Sequence, residues 1–192
     1  MAMRYEKGRK DATRQRIMEV AADRFRDEGI AASGLAGIMS EAGLTNGAFY
    51  PHFKSKAELV RETVSAALDE QTHRMQEILA AGGIAQAIAA YLSGQHRDNP
   101  AKGCAFAALL PELARQPRDT RQFVAERLAE SVQEISAALP SETRDREATA
   151  FALQALLVGS LQLARAVRGT PLSDRILAAG IEAANTLIGA GK

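Results

Sequence analysis

Apolar residues recur along this chain at helical spacing, and no segment shows the alternation of apolar and polar residues that predicts a half-buried strand. The pattern first predicts a helix over residues 11–28, which ends at Gly29. A second helix is predicted over residues 33–42, with its first residue, a serine, as N-cap. Gly43 then predicts a tight turn before a short third helix capped by Thr45.

The remainder of the chain continues the helical pattern. Ser55 and Glu58 form a capping box, which predicts the start of a long fourth helix that ends at the glycine pair 82–83. Further helices are predicted over residues 84–93, 105–115, 117–139, 142–168 and 173–188. We therefore predict an all-α fold in two parts, residues 1–54 and residues 55–192.

The composition agrees with a folded helical protein. Hydrophobic residues make up 46% and charged residues 24% of the chain, which is too apolar for a disordered protein. We find no apolar stretch of membrane-spanning length and no signal peptide, so we expect a cytoplasmic protein without a membrane partner. The net charge is only +1, but six basic residues gather near the N-terminus: Arg4, Lys7, Arg9, Lys10, Arg14 and Arg16. This basic N-terminal arm is either a phosphate-seeking element or a solvated tail.

Residues 43–56 carry the pattern of a helix-turn-helix, which places polar side chains in the major groove of DNA and binds neighbouring phosphates. Thr45 and Asn46 stand at the start of the short helix, where free amides and the helix dipole favour phosphate. Gly47 lets the backbone approach a duplex closely. Ala48 offers a methyl group to thymine.

Other DNA contacts are expected around this helix. Tyr50 and His52 can donate hydrogen bonds to phosphate, and Ser33 is a further candidate. Pro51 removes a helical hydrogen bond and its ring presses on the carbonyl of Gly47. The third helix should therefore be very short and end near Tyr50.

Residues 11–60 resemble the N-terminal domain of the TetR/AcrR family of one-component transcriptional regulators. The resemblance rests on residues 17–25, Gly29, residues 38–43, Gly47, Phe49, Tyr50, His52, Phe53 and Lys56. It implies that Lys56 contacts phosphate, and that a homodimer binds a palindromic double-stranded DNA operator until an unknown small-molecule effector releases it. Relatives often carry a basic or polar residue where this chain has Ala36.

The resemblance implies a role for each of the two parts of the chain. Residues 1–54 are expected to be a three-helix helix-turn-helix DNA-binding domain with its basic arm, and residues 55–192 a helical effector-binding and dimerisation domain. We expect dimer contacts from small and apolar residues on the last two helices: Phe151, Ala155, Gly159, Leu163, Leu177, Ile181, Ala184 and Ile188. These residues could instead be buried inside a single protomer.

The effector pocket is expected among the helices from the fourth onward. Its candidate lining residues are Leu68, Met75, Tyr91, Phe106, Leu110, Phe123, Leu128 and Leu156. Each of them could equally be an ordinary core residue.

Cys104, the single cysteine, supports a separate hypothesis. It stands at a predicted helix start close to Lys102, a setting that increases the reactivity of a thiol. The chain could therefore be a redox- or electrophile-sensing regulator that acts through Cys104. The alternative is a small buried hydrophobic residue.

Catalytic and metal-binding patterns are not found. His52, His73 and His96 lack ligand spacing, and no glycine-rich phosphate loop occurs, so we expect no metal, no cofactor and no enzymatic activity. The sequence favours a ligand-responsive regulator, and the resemblance implies that it acts as a repressor. A small helical ligand carrier or an enzyme is the remaining alternative.

Overall fold

The computed structural model describes the backbone of residues 2–189 and the side chains of residues 8–189. Over this range the protein is built from eight α-helices and two 3-10 turns, without a strand, which confirms the all-α prediction. The helices are α1 (Ala2–Glu28), α2 (Leu35–Glu41), α3 (Lys56–Tyr91), α4 (Gly94–Asp98), α5 (Ala105–Leu113), α6 (Arg118–Ala138), α7 (Arg146–Ala166) and α8 (Pro171–Leu187). The 3-10 turns are Asn46–Ala48 and Pro100–Lys102. We call residues 2–54 the head and residues 55–189 the body.

Helix α1 begins earlier than predicted. It runs from Ala2, so the residues expected to form a separate basic arm belong to the helix, although the side chains of Arg4 and Lys7 lie outside the described residues. At its other end Gly29 has φ of 92°, a left-handed conformation that glycine adopts without a steric penalty. The buried face of α1 consists of Ile17, Ala21 and Phe25.

The start of α2 differs from the prediction. Gly34, and not Ser33, is the N-cap, and no side chain caps the helix. Ser33 is fully buried, and its Oγ donates to the carbonyl oxygen of Gly29 at 2.7 Å. The cap prediction was wrong because the loop after α1 turns this hydroxyl back toward the end of α1. Ile38 and Met39 on α2 are fully buried.

The predicted third helix is reduced to the 3-10 turn Asn46–Ala48, followed by turns as far as His52. Thr45 occupies the N-cap position, but its side chain accepts no capping hydrogen bond. The short length agrees with the expectation from Pro51, whose missing N–H prevents an α-helix from continuing through this segment.

Helix α3 joins the head to the body. The Ser55 cap is confirmed, since its Oγ accepts a hydrogen bond from the Glu58 N–H at 3.1 Å. The predicted break at the glycine pair is confirmed, because Gly83 has a non-helical backbone with φ of 71°. Helix α3 therefore consists of two helical segments that meet in a kink at this residue, and together they run from the head into the body.

Helix α7 lies at the centre of the body and packs against α5, α6 and α8. Contrary to the expectation from the sequence, its length and composition would allow it to cross a membrane. Its buried face, which includes Leu153, Leu161 and Ala164, packs against neighbouring helices. Arg165 donates hydrogen bonds to the carbonyl oxygens of His96 at 2.9 Å and Arg97 at 3.3 Å, which ties α7 to the α4 region.

Candidate nucleic-acid interface and effector cavity

The 3-10 turn presents a polar edge to solvent. Thr45, Asn46 and Gly47 are exposed, and the side chain of Tyr50 is 70% exposed. Tyr50 stands edge-on to the buried ring of Phe49, with their centroids 5.5 Å apart. The turn therefore rests on a buried aromatic base and leaves its polar groups free to contact a partner.

Two small residues complete this edge. A Cβ added to Gly47 would meet no heavy atom of the described residues within 4 Å, and the φ of Gly47 lies outside the left-handed region. The fold itself therefore does not require glycine at this position. Ala48 is half-buried against the core, so only part of its methyl group faces outward.

Basic side chains of α1 lie beside the turn. The pKa of the half-buried His52 is lowered, first by burial and then by the positive charges of Lys10 and Arg14. The guanidinium carbon of Arg14 lies 4.9 Å from the ring centroid of Phe53, and Arg14 also pairs with Glu62. His52 is therefore a neutral donor, and the positive charge next to the turn comes from α1.

Two predicted DNA contacts are placed differently. Ser33 is buried with its hydroxyl bonded to Gly29, so it cannot reach DNA. The ammonium of Lys56 donates to the carbonyl oxygen of Ile30 at 2.5 Å and lies 6.0 Å from the ring centroid of Phe25. Burial lowers the pKa of Lys56. Its visible role is to hold the start of α3 against the loop that follows α1.

Glu112 of α5 contacts the same loop from the body. Its Oε2 accepts a hydrogen bond from the Ala31 N–H at 2.8 Å, and its charge opposes the lowering of the Lys56 pKa. A second link joins Lys102 to Asp23 of α1, with 2.7 Å between the ammonium and the carboxylate. The loop between α1 and α2 is therefore held by both α3 and α5, and neither contact was predicted from the sequence.

A first cavity, of about 360 Å³, lies between α3, α6 and α7. Most of its wall is apolar, including Leu79, Ile84, Ile88, Ile135, Leu153 and Leu157. Polar groups interrupt the wall at Gln71, Thr72, Gln76, Tyr91, Ser131, Glu134 and Gln154. Its size and composition are those of a small-molecule site.

The structure brings two of the eight predicted lining residues to this cavity, Met75 and Tyr91. Leu68 and Phe106 are buried in the core elsewhere. The other four pack against the core away from the cavity wall: Leu110, Phe123, Leu128 and Leu156. Helical spacing identifies a buried face, but it does not show which turn of that face borders a void.

A second cavity, of about 480 Å³, adjoins the first at Gln71, Met75 and Tyr91 and is also lined by Cys104. Cys104 is the N-cap of α5, which agrees with its predicted position at a helix start. The residue is 1% exposed. Its Sγ accepts a hydrogen bond from the Ala107 N–H at 3.5 Å.

His96 organises the wall behind the second cavity. Its Nε2 accepts a hydrogen bond from the Cys104 N–H at 2.9 Å, and its Nδ1 lies 2.7 Å from the carbonyl oxygen of Tyr91. Both nitrogens are satisfied by one neutral tautomer, with the proton on Nδ1. Burial lowers the pKa of His96, which also favours the neutral ring.

The predicted dimer residues on α7 reach the surface. Phe151 is 48% exposed, Leu163 is 61% exposed and Ala155 is also exposed. Beside them Gly159 is half-buried, with space for a Cβ among the described residues. This side of α7 forms an apolar stripe.

Helix α8 contributes differently from the prediction. Leu177, Ala184 and Ile188 are buried and Ile181 is half-buried, because the apolar stripe of α8 packs inside the protomer, where α8 contacts α7. The three buried residues are therefore not available to a partner protomer, contrary to the prediction, and only Ile181 is partly accessible. The exposed large apolar residues of this helix are Leu172 and Leu187, one near each end.

Comparison with known proteins identifies the head. Residues 17–63 match the family model for bacterial regulatory proteins of the tetR family. Over 66 residues the chain is 38% identical to the HTH-type transcriptional repressor KstR2 of Mycolicibacterium smegmatis, a match that covers 34% of this chain and 32% of that protein. The matched segments thus span about a third of the length of the first curated relatives.

Solved structures share the fold over nearly the whole chain. A TetR-family transcriptional regulator from Cytophaga hutchinsonii superimposes with a TM-score of 0.79 at 20% identity, covering 95% of this chain and 96% of that one. The regulator FadR from Bacillus subtilis, solved in complex with stearoyl-CoA, gives a TM-score of 0.71 at 16% identity, covering 93% and 99%. Residues 17–63 therefore carry the sequence of a tetR-family regulatory domain, and the chain as a whole has the fold of the solved TetR-family regulators.

Proposed function

We propose that this chain is a cytoplasmic, ligand-responsive transcriptional repressor that binds a palindromic double-stranded operator as a homodimer and is released by a small molecule. The observation that carries the proposal is the exposed polar edge formed by Thr45, Asn46, Gly47 and Tyr50 beside the basic side of α1. Similarity to curated repressors such as KstR2 supports repression.

The edge suits the two kinds of contact that a DNA reader makes. Thr45, Asn46, Ala48 and Tyr50 are proposed to contact bases, because short side chains on a tight turn can enter the major groove. Phosphate contacts then come from the hydroxyl of Tyr50, from the donor of the neutral His52 and from the basic residues of α1. The base contacts fix the operator, whereas the phosphate contacts fix the orientation of the head.

A homodimer places two such heads on one duplex. Half-sites one helical turn apart require the two reading turns to lie roughly 34–36 Å from one another. The exposed stripe with Phe151, Ala155 and Leu163 on α7, together with Leu172 and Leu187 near the ends of α8, is the proposed contact between protomers. Exposed apolar patches of this kind are typical of interaction sites.

Helix α3 is proposed to transmit ligand binding in the first cavity to the position of the head. Its far half carries Met75, Ile84 and Tyr91 in the wall of the first cavity, while Lys56 at its start bonds the loop beside α2. A ligand that favours one position of α3 also favours one position of the head. The size of the effect is limited to the difference in the ligand's affinity for the two states.

The repressor proposal is tested by selecting bound sequences from random duplex DNA and titrating the selected duplex with salt in a band-shift assay. A DNA reader that neutralises phosphates loses affinity steeply as salt rises. A ligand carrier or an enzyme would retard no duplex at any salt concentration, and that result would remove the proposal.

A thiol-sensing regulator is the second candidate. It is favoured by the position of Cys104 at the N-cap of α5 and in the wall of the second cavity, where a small electrophile could reach it. The expected activating cation is engaged elsewhere, since Lys102 pairs with Asp23. Mass spectrometry after mild oxidant tests this candidate: if Cys104 stays unmodified while the affinity for DNA falls, the thiol is not the sensor.

A further inference from the structure

We infer that the effector is an uncharged, hydroxyl-bearing apolar molecule held by Tyr91 and Gln71 in the first cavity. The inference rests on the proposed function, because it names the chemical class of the effector in that proposal. It depends on three features of the cavity: the apolar wall, the charges that line it, and two polar atoms that lack partners.

The apolar wall sets the size and character of the occupant. The volume of about 360 Å³ equals roughly a dozen water molecules at about 30 Å³ each. Most of this wall consists of aliphatic side chains such as Ile88, Ile135 and Leu157. Water molecules next to these side chains would therefore find no hydrogen-bond partner. A compact ring system or a branched hydrocarbon fits such a space better than water does.

The charges exclude an anion. Glu134 is the one charged residue among those described in the lining, and its Oε2 accepts a hydrogen bond from the Thr72 hydroxyl at 3.2 Å. No lysine or arginine of the described chain lines this cavity. A carboxylate or phosphate bound there would lose its hydration without gaining a cation, and it would face the negative charge of Glu134.

The two basic side chains that line the second cavity are already engaged. Arg74 and Lys102 line it, but Arg74 lies 2.6 Å from Glu70 and Lys102 lies 2.7 Å from Asp23. Both positive charges are therefore already paired with carboxylates. An effector that extended from the first cavity into the second would still meet no unpaired positive charge in these two side chains.

Two buried polar atoms indicate what the effector carries. Within the described residues, the Tyr91 hydroxyl and the Gln71 Oε1 are buried and have no hydrogen-bond partner. Both residues line the junction of the two cavities, and Tyr91 is only 6% exposed. Buried polar groups are normally satisfied, so an unpaired donor and an unpaired acceptor at one cavity point to a ligand.

A hydroxyl group meets both requirements. The phenol of Tyr91 stays protonated, because burial raises its pKa well above the usual value, with a smaller effect from the nearby thiol of Cys104. Tyr91 can therefore donate a hydrogen bond to the oxygen of the ligand hydroxyl, while Gln71 Oε1 accepts a hydrogen bond from the O–H of the same group. A purely hydrocarbon ligand would leave both atoms unpaired.

The test compares three probes that share one ring system: 9-phenanthrol, phenanthrene and phenanthrene-9-carboxylate. Calorimetric titration of the full chain should give the tightest binding for 9-phenanthrol. Loss of the hydroxyl should weaken binding about tenfold, and the carboxylate should bind at least about a hundredfold more weakly than the alcohol. Failure of 9-phenanthrol to bind, or equal binding of the carboxylate, would overturn the inference.

Two variants locate the contact. Tyr91→Phe and Gln71→Leu should each weaken 9-phenanthrol about tenfold while binding of phenanthrene persists, which shows that the cavity is intact. The control Gln122→Leu makes the same change on the exposed side of α6, outside the lining, and should leave both affinities unchanged. If Tyr91→Phe and Gln71→Leu bind 9-phenanthrol like the wild type, the assignment of these two groups is wrong.

The band-shift assay with the selected duplex distinguishes failure of the effector inference from failure of the proposed function. If the wild-type protein retards the selected duplex but binds no 9-phenanthrol, the effector class is wrong and the repressor proposal stands. If the protein binds 9-phenanthrol and retards no duplex, the ligand site stands and the repressor proposal falls.

Discussion

Replacing Gly47 by alanine separates what the fold requires from what DNA requires. A Cβ at this position meets no described heavy atom within 4 Å, and φ lies outside the left-handed region. Alanine should therefore leave the free energy of unfolding unchanged or raise it by about 0.4–1 kcal/mol, because glycine loses more backbone freedom on folding. The added methyl group matters only if another molecule occupies the space outside the turn.

The effect on DNA binding can be estimated from packing. One methyl group forced into a closely packed contact costs about 1–3 kcal/mol. Two protomers on one operator double this cost to about 2–6 kcal/mol, which corresponds to a loss of affinity of about 25-fold or more at about 1.4 kcal/mol per tenfold.

Fluorescence anisotropy with the selected duplex at fixed salt measures this loss, and thermal unfolding of the same samples reports the stability of the fold. Gly94→Ala is the matched control, because Gly94 lies in the body and a Cβ there makes only an ordinary contact, 3.6 Å from the Arg97 side chain. If Gly47→Ala binds DNA as tightly as the wild type, the backbone of the 3-10 turn does not approach the duplex.

Three further perturbations test other parts of the account. Phe53→Ala removes a ring that is buried and stacked on Phe49 at 5.4 Å, so it should destabilise the protein by about 3–5 kcal/mol in chemical unfolding. Burial lowers the pKa of His96 in the folded protein below its ordinary value of about 6.5. The free energy of unfolding should therefore be highest above pH of about 6.5 and should fall as the pH drops through the folded-state pKa. In urea unfolding, His96→Gln should show a weaker dependence of this free energy on pH between about 5 and 7.5. Leu163→Glu places a charge on the exposed stripe of α7 and should give folded monomers with weakened operator binding, whereas an unchanged sedimentation coefficient would exclude this stripe from the interface.

Local chemistry made some features of the head predictable. Pro51 has no N–H to donate, so the short reading turn could be predicted from one residue. Phe49 and Phe53, which belong to the family pattern of the head, are both buried. The capping box at Ser55 also depends only on residues close together in the chain.

Features that depend on packing between distant segments could not be predicted in the same way. The ammonium of Lys56 turns inward because the carbonyl oxygen of Ile30 lies within its reach, and only the folded loop shows this. Gln71 escaped prediction because a polar residue on a helix usually indicates a solvated face. The apolar stripe containing Leu177 was correctly recognised as apolar, but helical spacing does not say whether its partner is α7 of the same chain or a second protomer.

Footprinting of the full chain on the selected duplex tests the central claim most directly. Two heads reading one operator should protect two inverted half-sites whose centres are about 10–10.5 base pairs apart, or a multiple of that spacing. Gly47→Ala should lose both protected regions together. A single protected half-site, no protection, or a footprint that Gly47→Ala leaves unchanged would contradict DNA reading by the exposed edge of the 3-10 turn.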